Sequence, residues 1–385
     1  MPHYYSLGKI PTKRHTVYRQ PDGRLYHEEL VSTEGFSSDS SLVYHLYPPT
    51  QVVRIGEPIS VAPKIVISQN LQNRCLLSFK ITADNDYLKS RRILMANQDV
   101  QIITAAPDNS PMNYFYKNAE ADEIIFIHEG RGILHTSFGE LPFTYGDYLL
   151  IPRGVVHQFS FHSANNRLLI VESFSPVRFP KRYLSPYGQL LENAPFCERD
   201  LGKPENLPTI DQRGEFLIYI KKQQHIWPYY YENHPFDYVG WDGCYYPYRF
   251  SIHDFEPITG RVHQPPPVHQ TFEGHNFVIC SFVPRLYDYH PEAIPAPYHH
   301  SNLDSDEVLY YVAGEFMSRS NVEKGMLTLH PLGLPHGPHP GTIEKSIGAK
   351  ETKELAVMID TFKPLCLTEE ALNIEHKSYY RSWVE

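Results

Sequence analysis

The chain is predicted to be all-β, with two similar barrels in tandem. Three observations carry this. First, one pattern occurs twice, as Gly146–His157 and Gly325–His336: Gly, five residues, Pro, one residue, Gly, two residues, His. Second, each copy has companions in the same order. Upstream, Glu123 is followed seven positions later by Gly130, and Glu307 seven later by Gly314. Downstream come Glu172-Ser173-Phe174-Ser175-Pro176 and Asp360-Thr361-Phe362-Lys363-Pro364. Order kept with small insertions is the mark of a duplicated unit. Third, 33 of 385 residues are proline, against a usual share of roughly 5%, which disfavours a helical bundle and favours strands joined by turns.

The elements follow in order. Residues 1–60 are polar and broken by prolines, and read as an irregular arm lying on the barrels or on a neighbouring subunit. The first barrel is expected over 61–180. Its clearest strands are the apolar runs Glu123–Ile127 and Tyr148–Ile151, closed by Arg167–Glu172. Residues 181–235, rich in Pro, Tyr, Asn and charge, read as a connecting segment in which Phe216–Ile220 is one plausible strand. The second barrel is expected over 236–366, with strands Phe277–Phe282, Val308–Val312 and Leu355–Ile359. A tail follows over 367–385.

Composition excludes several functions. Hydrophobic residues make up 41% and charged residues 21%, ordinary for a soluble globular chain. No apolar run reaches the ~20 residues of a membrane span, and the first residues lack the apolar centre of a secretory signal. The net charge of −9 has no basic patch beside it, so nucleic acid is not an expected partner. The five cysteines are scattered and odd in number, which suits reduced thiols in the cytoplasm.

The two copies differ where chemistry would differ. Tyr298-His299-His300-Ser301-Asn302 precedes Glu307, whereas Tyr116-Lys117-Asn118-Ala119-Glu120 precedes Glu123 and holds no histidine. Two histidines and a carboxylate converging in one barrel form the facial triad that holds non-haem Fe(II) and leaves positions open. Only the second copy has that set. In an extended stretch, just one of His299 and His300 faces inward. His157, lacking a partner histidine upstream, reads as structural. His263 and His269 bracket a proline run, and stiff loops of this kind serve either as site walls or as plain connectors.

The repeated pattern resembles the second motif of the cupin barrel, a double-stranded β-helix or jelly roll. Within that class, Pro297–Asn302, Leu329-His330 and Pro335-His336-Gly337-Pro338 resemble homogentisate 1,2-dioxygenases, as do Pro235–Gly243 and Tyr246–Phe250. The resemblance is good from about 235 to 365 and faint before it. It implies His300, Glu307 and His336 as ligands of Fe(II), and His330 as a histidine behind them. It puts the active-site base on His263, with His269 as the fallback. Two departures stand out. Six residues separate His300 from Glu307 where the family has five, which brings Asp306 into question as a competing ligand. Phe316 stands where the family has a tyrosine near the substrate, and Arg319 or Arg285 is a candidate replacement donor. The resemblance further implies cleavage of the homogentisate ring by O2 to maleylacetoacetate, in tyrosine and phenylalanine breakdown. The expected partners are a small aromatic acid and copies of the chain, as a trimer or a dimer of trimers. Other uses of such a barrel are a dioxygenase for gentisate or another hydroxylated aromatic acid, a metal-dependent isomerase, and a metal-free bicupin.

Overall fold

A computed structural model of the chain describes residues 3–67, 70–314, 316 and 322–384. Nearly all regular structure is β. The three α-helices among the described residues, Tyr87–Ser90, Thr342–Ser346 and Glu369–Asn373, are each a turn or so long. None is long and apolar enough to cross a membrane.

The first barrel closes between two sheets. One carries, in order, the strands Tyr248–Ser251, Asp147–Ile151, Asp122–Glu129, Arg167–Ser173, Val100–Ala105 and Arg92–Ala96. The other carries Gly139–Phe143, Gly132–Thr136, His157–Phe161, Phe115–Asn118, Arg213–Lys222 and His225–Asn233. Val100–Ala105 is buried throughout, and Asp122–Glu129 in all but its last residue, so these strands are covered on both faces. That is why they read as continuous apolar runs instead of alternating ones. In the second barrel the order is Gln270–Gly274, Phe277–Phe282, Leu355–Thr361, Asp306–Ala313, Met326–His330 and Arg74–Leu77. Its facing wall is shorter, with Arg285–Leu286 paired to Glu351–Thr352 and a single bridge between His300 and His336.

The repeated glycines have a local cause. Gly325 has φ +79°, and a Cβ there would stand 2.1 Å from the Phe79 ring. Only glycine adopts this corner and lets the strand Met326–His330 start so close to the neighbouring chain.

The expected boundaries do not match the sheets. Arg74–Leu77, placed by sequence in the first barrel, pairs with Met326–Leu329 of the second. Tyr248–Ser251, placed in the second, pairs with Asp147–Leu150 of the first. The segment 181–235 is more than a connection, because its hairpin Arg213–Lys222/His225–Asn233 extends the first barrel's sheet beside Phe115–Asn118. The N-terminal arm is likewise not irregular. Tyr5–Gly8, His27–Ser32 and Ser40–His45 form a sheet with Tyr238–Gly243, and Val52–Ile55 joins the hairpin. Apart from the two hairpins, Arg213–Lys222/His225–Asn233 and His27–Ser32/Ser40–His45, these pairings are long-range, so local sequence pattern carried no trace of them. The barrels also meet through polar contacts. His128 Nδ1 lies 2.6 Å from the Tyr310 hydroxyl, and the Tyr148 hydroxyl lies 2.9 Å from Ser281 Oγ.

His45 pins the arm. Its Nδ1 lies 2.8 Å from Asp237 Oδ1 and its Nε2 3.0 Å from Glu29 Oε2. Burial opposes the charged ring, but the two carboxylates outweigh it and raise its pKa to about 9. A raised folded-state pKa means the stabilisation is whole below the unfolded value near 6.5 and fades as pH climbs through about 9. At roughly 1.4 kcal/mol per unit this is on the order of 3 kcal/mol. Urea midpoints of wild type should therefore fall between pH 6 and pH 10 more steeply than those of His45→Gln. Parallel pH profiles would contradict the pairing.

Candidate metal centre

Three ligand-type residues converge at one end of the second barrel. His300 and His336 face each other across a two-residue antiparallel bridge, each backbone N–H donating to the other's carbonyl at 2.9 Å. Their rings are 4.3 Å apart. His300 Nδ1 lies 3.2 Å from the Tyr298 carbonyl, and His336 Nδ1 lies 3.1 Å from the Leu334 carbonyl. With a proton on each Nδ1, both Nε2 lone pairs are left for a metal, the usual way a second hydrogen bond fixes the ligating tautomer. Glu307, the second residue of the strand Asp306–Ala313, completes the set.

Glu307 Oε2 lies 3.4 Å from His300 Nε2, and Oε1 lies 3.4 Å from His336 Nε2. All three ligand atoms fall within 4.8 Å of one another. Bonds of about 2.1 Å to one ion would set neighbouring ligand atoms about 3 Å apart, so the set needs only a small contraction. His336 Nε2 is buried and has no hydrogen-bond partner among the described residues. A lone pair stranded in this way is costly unless something binds it. The donor set therefore fits a divalent metal of the facial-triad type.

The surroundings hold the triad in place. His330 is fully buried, with Nδ1 2.8 Å from Glu307 Oε1 and its ring stacked on His336 at 4.4 Å. Burial would raise the Glu307 pKa, but the three imidazoles around it, His300, His330 and His336, prevail and hold it well below the usual carboxylate range. Asp360 stands opposite Glu307 on the next strand. Burial and the Glu307 charge push its carboxyl well above the ordinary value. Asp306 does not compete as a ligand, because its carboxylate accepts the backbone N–H groups of Leu332 at 2.8 Å and Leu365 at 2.7 Å. It fixes the turn that delivers His336.

A cavity of about 400 Å³ opens above the triad, walled by Phe282, Pro297, Leu309 and Met358 among others. The structure brings both bracketing histidines to this cavity but treats them differently. His263 stands at the mouth with its side chain 49% exposed, Nδ1 3.6 Å from Asp288 and its ring against Tyr298. His269 is buried inside. Burial, then the nearby Arg285 and His263, lower its pKa to about 3, so it is neutral at working pH. Phe316 is not among the cavity's lining residues; it packs edge-on against Tyr311 at 4.7 Å. The expectation that it stands near substrate is therefore corrected: the ring is taken up by Tyr311 and not by the cavity wall. Arg319 lies outside the described residues.

The first barrel shows the same frame without the site. Tyr116 bridges His157 as His300 bridges His336, and Tyr116 precedes Glu123 by seven positions as His300 precedes Glu307. That equal spacing was a readable signal. Asp122 repeats the role of Asp306, accepting the N–H groups of Arg153 and Val177 at 3.0 Å. The Arg91 guanidinium donates to Glu123 at 2.9 Å and to Glu172 at 2.5 Å, and Lys221 also pairs with Glu172. These side-chain cations fill the place a metal would take. Burial lowers the His157 pKa to about 4.

Fold and site together define a two-barrel cupin with one metal-type triad among the described residues, in the second barrel. A family model described as the homogentisate 1,2-dioxygenase N-terminal domain matches residues 85–252. A Saccharolobus solfataricus protein described as a "putative dioxygenase" is 39% identical over 382 residues, covering 99% of this chain and 98% of the relative. The chain belongs to the homogentisate 1,2-dioxygenase-like family, a family of dioxygenases. Among solved structures, a protein from Pseudomonas aeruginosa described as glyoxylate-induced covers 82% of this chain and 99% of its own at 11% identity and TM-score 0.35. A cupin 2 barrel protein from Leptotrichia buccalis covers 81% and 98% at 10% identity and TM-score 0.31.

Proposed function

We propose that the protein is an Fe(II)-dependent ring-cleaving dioxygenase whose substrate is homogentisate and whose product is maleylacetoacetate. The observation that carries this is the triad at the base of a largely apolar cavity with room for one substituted aromatic ring. Iron, when bound, supplies the redox chemistry with O2 and acidifies a coordinated phenol. The chain's own residues do the rest. His330 keeps Glu307 aimed at the metal position. Phe282, Leu309 and Met358 keep water from the ring. His263, whose Nδ1 faces Asp288, accepts the phenolic proton on Nε2.

Oxygen uptake by anaerobically iron-loaded protein, measured across hydroxylated phenylacetates and benzoates, tests the reading. Uptake with homogentisate is expected, uptake with gentisate alone would move the substrate, and none with any would sink the activity. His263→Phe should keep its iron and lose about 10²–10⁴-fold in kcat. If His269→Phe is the slow variant and His263→Phe turns over normally, the base is His269.

The proposal extends to a cytoplasmic homo-oligomer, a trimer or dimer of trimers. In its support, the edge strand Val52–Ile55 exposes Val52, Val53 and Ile55, an apolar edge that a second copy would cover. Light scattering showing a monomer at micromolar concentration would count against it.

A further inference from the structure

The cavity holds one cation with no part in the scheme above. Arg285 is half-buried in the strand Arg285–Leu286 and lines the cavity with His269. It donates to the Val283 carbonyl at 3.2 Å. Its guanidinium carbon lies 5.9 Å from the centre of the Phe282 ring, which in turn lies 4.6 Å from the His269 ring. Among the described residues, no carboxylate pairs with Arg285. Four acids stand on the same walls, and none pairs with Arg285: Asp288 lies against His263, Glu307 against the three imidazoles, Asp360 beside Glu307 with its carboxyl pushed up, and Glu354 further along the wall. Beside Arg285, His269 Nδ1 is buried and has no hydrogen-bond partner among the described residues.

We propose that Arg285, with the Nδ1–H of His269 next to it, anchors the carboxylate of an aromatic acid and so selects acids over neutral phenols. This deepens the ring-cleavage reading and rests on it for the identity of the cavity as the substrate site. A guanidinium presents a planar fork that matches a carboxylate with two parallel hydrogen bonds. Partial burial makes that pairing stronger than it is in open solvent. A neutral imidazole adds a donor without adding charge. One cation beside the apolar Phe282 and Met358 suits a singly charged acid with a ring behind it better than a phosphate. The substrate's ring then reaches the triad with its acid end held by protein.

The test uses full-length, metal-free protein and phenylacetate, which has no hydroxyl to oxidise, against uncharged phenylacetamide. Calorimetric titration should show wild type binding phenylacetate at least about tenfold more tightly, the effect of a charge-assisted pair. Arg285→Met should bring the ratio close to one, and Arg285→Lys, which keeps the charge without the fork, should fall between. A wild type without preference, or a preference intact in Arg285→Met with unchanged circular dichroism, would overturn the proposal. If Arg285→Met does not fold, the comparison of Arg285→Lys with wild type decides, and an undiminished preference there overturns it. Oxygen uptake by the iron-loaded wild type is read separately. Preference without uptake would remove the ring-cleavage reading and leave the anchor; uptake without preference would remove the anchor alone.

Discussion

Glu307→Ala, His300→Ala and His336→Ala proteins should each emerge from anaerobic Fe(II) loading and gel filtration without stoichiometric iron, while wild type carries about one iron per chain. Removing Glu307 deletes the carboxylate of the triad and the 2.8 Å contact that His330 makes with it. Removing either histidine opens the bridge side of the site. His157→Ala should retain the single iron, because Arg91 already occupies the first barrel's acidic pair. His330→Phe should weaken iron binding about 10–100-fold without abolishing it, as loss of a group behind a ligand does. Elemental analysis giving two irons per chain, or full iron in Glu307→Ala, would refute the assignment.

Arg91→Met should destabilise the protein by about 3–5 kcal/mol, the cost of leaving buried charge uncompensated. Its side chain is 9% exposed, and those of Glu123 and Glu172 are fully buried. Lys221 remains for Glu172, but among the described residues Glu123 would be left with Tyr116 and Asn118, at 3.5 and 3.3 Å, and the His157 ring at 3.9 Å. Urea unfolding at pH 7 measures the loss. Adding Glu123→Gln should recover part of it, since the uncompensated charge is then gone. A loss below about 1 kcal/mol, typical of an exposed pair, would mean that the network is hydrated.

The duplicated barrels and the triad were legible because their signals are local: fixed spacings around Gly146 and Gly325, and histidines ahead of one glutamate only. The role of Asp306 was not legible, since its partners, Leu332 and Leu365, are 26 and 59 residues away. Arg91 was missed for the same reason, as it reaches Glu172 across 81 positions. Phe316 was misplaced because a position in a motif says where the backbone runs and not which way a ring turns. The seven-residue step from Tyr116 to Glu123 was present in the sequence and shows that the extra residue before Glu307 belongs to both barrels.

The exchanged edge strands bear on how the chain is made. The wall that ends at His330 is completed by Arg74–Leu77, and the Ser78 hydroxyl reaches the Gly325 carbonyl across 247 positions. A ribosome therefore releases one half of this contact long before the other exists. The early strand must wait, its hydrogen-bonding edge open, until Met326–Leu329 have been made. Such distant pairing slows closure and exposes intermediates to aggregation. A fragment cut at residue 235 would strand both edges at once. The triad can then assemble only once the chain beyond His336 has been made, so metal loading would report closure of the second barrel.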